Sequence, residues 1–104
     1  MEQFENVSII KKANIYFEGN VTSRTIIFKS GEKKTIGIML PGEYEFKTGK
    51  KELMEIQAGN LHVLIDGDNE WKSFSLGESF EVPANSSFKV KVKEISDYCC
   101  SYIE

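Results

Sequence analysis

The side chains of this sequence that could carry covalent or acid–base chemistry are few and scattered. A thiol nucleophile needs a base beside it. Two cysteines are present, Cys99 and Cys100, and a single histidine, His62, which would have to be that base. Neighbouring residues on a strand point to opposite faces. A bridge between the two cysteines would therefore distort the backbone, and two free thiols are expected, in keeping with a reducing compartment. The remaining candidates are rings. Tyr44 and Phe46 stand at alternate positions, and Phe80 and Phe88 flank Pro83-Ala84-Asn85. Aromatic rings offer stacking faces to a flat ligand.

Strands must position these groups. Phe88, Val90 and Val92 alternate with Lys89, Lys91 and Lys93. Leu61, Val63 and Ile65 share one face of another run, as do Ile36, Ile38 and Leu40 of a third. Tyr44 and Phe46 oppose Glu43 and Glu45, so those carboxylates face away from the rings. Val21 to Phe28 is rich in β-branched residues, and Tyr98, Cys100 and Tyr102 alternate near the end. Such period-two patterns mark half-buried strands. Lys50 to Gln57 admits one helical turn, with strand favoured from Leu53. Breaker clusters such as Ser30-Gly31, Pro41-Gly42, Asp66-Gly67 and Pro83-Ala84-Asn85 fall about ten residues apart, which predicts an all-β sandwich or barrel. The first dozen residues read as a loose arm or an edge strand. Closing the sheet limits exposed strand edges, and any edge that remains is a place for a second copy, so a homodimer is expected.

With 104 residues, 40% apolar and 28% charged, the chain suits one domain over 1–104 with one core. A net charge of −3 gives no basic surplus for nucleic acid, although Lys33-Lys34 and the alternating lysines allow a local basic patch. No stretch approaches the roughly 20 apolar residues that span a bilayer. The acidic, polar start Met1 to Asn6 lacks the marks of a secretory signal. A cytoplasmic protein is expected, in which the glycosylation-like triplets at Asn6, Asn20 and Asn85 have no meaning.

The order of motifs resembles the cupins, whose fold is a double-stranded β-helix or jelly-roll barrel. Their second motif, G-x5-P-x-G-x2-H, matches Gly77 to Phe88 in spacing. Gly77 and Pro83 fit, Asn85 replaces the second glycine, and Phe88 takes the histidine position. In the first motif Tyr44 and Phe46 fall where a histidine pair would stand, while Glu52 and Gly59 keep the Glu-to-Gly spacing. Two rings and a phenol in place of three imidazoles cannot hold a metal tightly. The resemblance therefore implies a metal-free barrel lined by Tyr44, Phe46, Phe88 and Phe80, either plugged by these rings or open to a flat ligand.

A narrower resemblance covers the chain from about Val21 onward. Val21 to Thr25, Gly37 to Phe46, Met54-Glu55-Ile56 with Gly59, Glu70-Trp71, Ser79 to Phe88 and Asp97 to Tyr102 are together similar to the pyrimidine/purine nucleoside phosphorylase family. That family is implied to cleave purine and pyrimidine nucleosides with inorganic phosphate, giving free base and ribose 1-phosphate without metal or organic cofactor. Carried onto this chain, the reaction points to Tyr44 as a catalytic hydroxyl and to Phe46, Phe80 and Phe88 as stacking walls. Arg24, Ser23 and Lys34 become the phosphate clamp, assisted by Thr22, and Glu43 or Glu55 holds a ribose hydroxyl. The alternative is a non-catalytic module that binds a nucleoside or another flat metabolite.

Overall fold

A computed structural model describes residues 3–104. Nine strands follow one another: β1 (Ser8–Ile9), β2 (Asn14–Tyr16), β3 (Val21–Ile27), β4 (Lys33–Met39), β5 (Gly42–Lys47), β6 (Lys51–Ile65), β7 (Lys72–Ser75), β8 (Ser79–Val82) and β9 (Ser87–Ile103). A three-residue 3-10 turn, Phe17–Gly19, links β2 to β3. Every paired strand is antiparallel.

The long strands β6 and β9 lie side by side and organise everything else. The first part of β9 pairs with β5 (Tyr44 with Val90, Phe46 with Phe88), and its last part pairs with β4 (Thr35 with Cys100, Gly37 with Tyr98). On the far edge of β6, Glu52 to Glu55 pair with β8 and Asn60 to Val63 with β7. The result is two half-sheets that share β6 and β9. One is β5-β9-β6-β7, and the other is β3-β4-β9-β6-β8 with β1 and β2 on its outer edge.

The bend between the halves has a local cause. Between Ile56 and Leu61 the register with β9 slips repeatedly. Gly59 sits there at φ +94, a left-handed conformation that favours glycine, with Ser96 Cα only 2.7 Å from where a Cβ would stand. Extra residues at such a bulge bend the strand and increase its twist.

The turn spacing predicts a barrel, but the hydrogen-bonded ladder stays open. It runs β1-β3-β4-β9-β6-β7, and its end strands do not pair among the described residues. Bent β6 and β9 fold the sheet over, so the halves meet through side chains instead of through a closing ladder. The segment from Lys50 is strand from Lys51 onward, two residues earlier than Leu53 and with no helical turn. The N-terminal segment forms an edge strand, with Ser8 opposite Ile27.

Alternation decides which side chains enter the core. Tyr44, Leu61, Val63, Val90 and Val92 from one half meet Met54, Ile56, Phe80 and Val82 from the other, all nearly or fully buried. Burial of each such side chain contributes about 1.5–3 kcal/mol. On the solvent side, Glu43 stands opposite Lys91 and Glu45 opposite Lys89, so the alternating lysines pair with carboxylates.

Candidate active site

The inner face of the β3-β4-β9-β6-β8 half is less apolar than the face it meets. From β3 and β4 it presents Ser23 and Thr35, from β9 Tyr98, Cys100 and Tyr102, and from β6 Glu52 and Met54. The ladder register brings these together: Thr35 faces Cys100, Cys100 faces Met54, and Tyr102 faces Glu52. Opposite them stand Phe46, Lys47 and Phe88. Together they enclose a cavity of about 210 Å³. A broader surface groove adjoins it, sharing Tyr16, Thr35 and Tyr102.

Two local devices hold the walls. Thr48, just past β5, donates its hydroxyl to the Pro83 carbonyl at 2.7 Å and accepts from the Ser86 N–H at 2.9 Å. Asn85 adopts φ 53, the left-handed turn geometry that its place in the motif demands. This clamp sets Phe46 against Phe88, with ring centroids 5.4 Å apart and near-parallel planes. Across the mouth, β2 places Tyr16 on the cavity, and Asn14 donates to Ser23 Oγ at 3.2 Å. Phe17 follows at φ 51, uncommon for a bulky residue, and packs edge-on to Phe46 at 5.4 Å.

The electrostatics single out one group. Burial pushes the Glu52 carboxyl above its ordinary range, partly offset by the Cys100 thiol, which donates to Oε1 at 3.5 Å. Burial also pushes Tyr102 up to about 12 and raises the Tyr98 phenol and the Cys100 thiol further still. Near neutral pH those three remain protonated and act as hydrogen-bond donors. Tyr98 already donates to the Thr22 carbonyl at 3.3 Å.

The structure gathers some of the residues expected from sequence and separates others. Ser23, Phe46 and Phe88 line the cavity. Tyr44 is buried in the core beside it and does not line it, because its hydroxyl donates to the Leu40 carbonyl at 2.7 Å. Phe80 packs into the core against Phe74 and Phe88. Arg24 and Lys34 alternate with Ser23 and Thr35, and so they lie on the outer face. Arg24 Nε donates to the Lys11 carbonyl, and Lys34 lies over the Phe4 and Phe28 rings. Thr22 shares that outer face, Glu55 lies opposite Cys99 there, and Glu43 is exposed. His62 lies opposite Lys91 and Ser73, far from Cys100 in the ladder. Cys99 and Cys100 are free thiols, both buried.

Cavity-lining residues that sequence reading did not single out for binding are Tyr16, Thr35, Lys47, Glu52, Tyr98 and Tyr102, while Cys100 was considered only as a thiol paired with His62. The alternation of Tyr98, Cys100 and Tyr102 was a readable signal, as was the motif spacing that retains Glu52. Among the described residues, no three His, Cys, Asp or Glu side chains converge, and no helix is long and apolar enough to cross a membrane.

Fold and site together define an all-β protein of cupin-like architecture. An RmlC-like cupin from Shewanella frigidimarina has the same fold, with a TM-score of 0.71 at 19% identity, covering 98% of this chain and 93% of that one. The narrower kinship is shown by sequence. The family model described as pyrimidine/purine nucleoside phosphorylase matches residues 11–102. A pyrimidine/purine nucleoside phosphorylase from Chlorobium chlorochromatii is 64% identical over 103 residues, 99% of each chain. A crystal structure of a protein of unknown function from Acinetobacter sp. ADP1 matches with a TM-score of 0.94 at 43% identity, covering 97% of this chain and 98% of that one. This chain belongs to the pyrimidine/purine nucleoside phosphorylase family.

Proposed function

We propose that this protein is a nucleoside phosphorylase that cleaves purine and pyrimidine nucleosides with inorganic phosphate, yielding free base and ribose 1-phosphate in a pentosyl transfer. The reading is carried by full-length kinship at 64% identity to a relative of that name. The cavity supplies matching chemistry. By analogy with glycoside cleavage, the transition state resembles an oxocarbenium ion. Phe46 and Phe88 offer apolar walls for the base. The hydroxyls of Ser23 and Thr35, with Lys47 at the exposed edge of the cavity, take the phosphate role that sequence reading gave to Arg24 and Lys34. Holding phosphate and nucleoside in line contributes much of the acceleration.

In this reading residues 1–104 form one cupin-type unit, whose roll serves as a barrel without closing its ladder. It acts in the cytoplasm, without metal or organic cofactor. It works as a homodimer, a reading that the exposed Ile36, Ile38 and Ile95 on the outer face support.

The test is base release from adenosine, inosine and uridine, with and without phosphate, on protein stripped with chelator. Phosphate-dependent release that survives the chelator is expected. Thermal stabilisation by nucleoside without release would make the protein a binding module, and activity lost with the chelator would return a metal to the mechanism.

A further inference from the structure

We propose that Glu52, the carboxylate at the Glu position of the first cupin motif, is the proton donor to the leaving base. This rests on the phosphorylase reading of the cavity. Three observations carry it. First, Glu52 is on the inner face, lines the cavity and is only partly exposed, so a base lying against Phe46 and Phe88 comes within its reach. Second, its position is set on both sides: its backbone pairs with Tyr102 of β9 and Val82 of β8, while the Cys100 thiol holds Oε1. The other carboxyl oxygen has no hydrogen-bond partner among the described residues. Third, the groups around it make poor competitors. Cys100 and Tyr102 from β9 hold their protons firmly, as does Tyr98 further along, and Tyr16 of β2 and Lys47 of β5 complete the ionisable lining. Its own upward displacement, caused first by burial, moves it towards the working pH, where a general acid is most effective.

The step balances without further reagents. A phosphate oxygen forms a bond to C1′ as the C1′–N bond breaks, and the bonding pair leaves on the base. Glu52 passes its carboxyl proton to the base. The attacking hydrogen phosphate sheds its own proton in becoming the ester, and this proton restores the carboxyl. Overall, the hydrogen of the phosphate ends on the base.

The experiment compares two substrates on wild type and Glu52→Gln, which keeps the shape and loses the proton. One substrate is uridine, whose base leaves poorly unprotonated. The other is 4-nitrophenyl β-D-ribofuranoside, with the same sugar and a leaving group that needs no proton. The expected result is a loss of ~10²–10⁴-fold in kcat/KM for uridine, against less than about tenfold for the nitrophenyl riboside. The wild-type rate with uridine also falls as pH rises through the Glu52 pKa, a limb absent from the nitrophenyl riboside profile and from the variant. Equal losses on both substrates would overturn the proposal in favour of ribose binding or a structural role, and undiminished uridine cleavage would overturn it outright. Turnover of the nitrophenyl riboside shows that the variant is folded. If wild type releases neither uracil nor nitrophenol with phosphate, the phosphorylase reading itself fails.

Discussion

The same two strands, β6 and β9, run through a half of the molecule that is packed solid and a half that is left hollow. Beyond the bend at Gly59, Leu61 and Val63 of β6 meet Val90 and Val92 of β9 in a closely packed apolar face. Before the bend, the same strands present Glu52, Tyr98, Cys100 and Tyr102 inward, joined by Ser23 and Thr35. The difference shows a division of labour within one ladder. Both halves bury apolar side chains in the shared core, and the hollow half adds polar groups around a cavity. Polar groups kept on an inner face in this way are common where function resides.

The most severe way to break this arrangement is at the bend both halves depend on. Gly59→Ala forces a Cβ into the Ile95 carbonyl at a left-handed φ. A loss of about 3 kcal/mol is expected, read as a fall in Tm of more than about 10 °C. Melting like wild type would mean that the bend is not a rigid junction.

A paired comparison sharpens the contrast. Leu61→Ala, in the packed half where Leu61 is 0% exposed, should cost about 2–5 kcal/mol in denaturant unfolding. The folded fraction should keep its kcat/KM. Lys47→Met, in the site, should leave stability within about 0.5 kcal/mol, since the side chain is exposed. It should raise the KM for phosphate about tenfold or more, the loss of a charge-assisted contact worth ~1.5–3 kcal/mol. If Leu61→Ala alters kcat/KM, or Lys47→Met leaves phosphate saturation untouched, the halves are not separable in this way.

The smallest effect concerns the outer side of the hollow half. Ser101 Oγ is buried there without a hydrogen-bond partner among the described residues. Ser101→Ala removes that unsatisfied group, and a gain of about 1 kcal/mol is expected on chemical denaturation. A loss instead would show that the hydroxyl has a partner, such as an ordered water.

Strands were legible wherever one face is dry, as in Phe88-Val90-Val92 against three lysines, because side-chain direction follows from alternation alone. The Pro83-Ala84-Asn85 turn was legible for a similar reason: Asn tolerates left-handed backbone. β2 was not, because Asn14-Ile15-Tyr16 is too short to show a period, and its pairing with Ser23 and Val21 is a matter of tertiary contact. The cavity lining was half legible. Phe46 and Phe88 stood out through motif positions, and both line the cavity. Arg24 and Lys34 were chosen for their charge, but strand parity turns both outward, one residue away from Ser23 and Thr35.

The sequence by itself determined the all-β class and the turns, which depend on local periodicity, and the family, which depends on likeness to known relatives along nearly the whole chain. Only the tertiary structure decided that the ladder stays open and that Tyr44 commits its hydroxyl to the Leu40 carbonyl. It alone also set Glu52 beside Cys100, at 3.5 Å. Those outcomes depend on how two long strands bend and on which distant residues their register makes neighbours, and 48 positions of chain separate that pair.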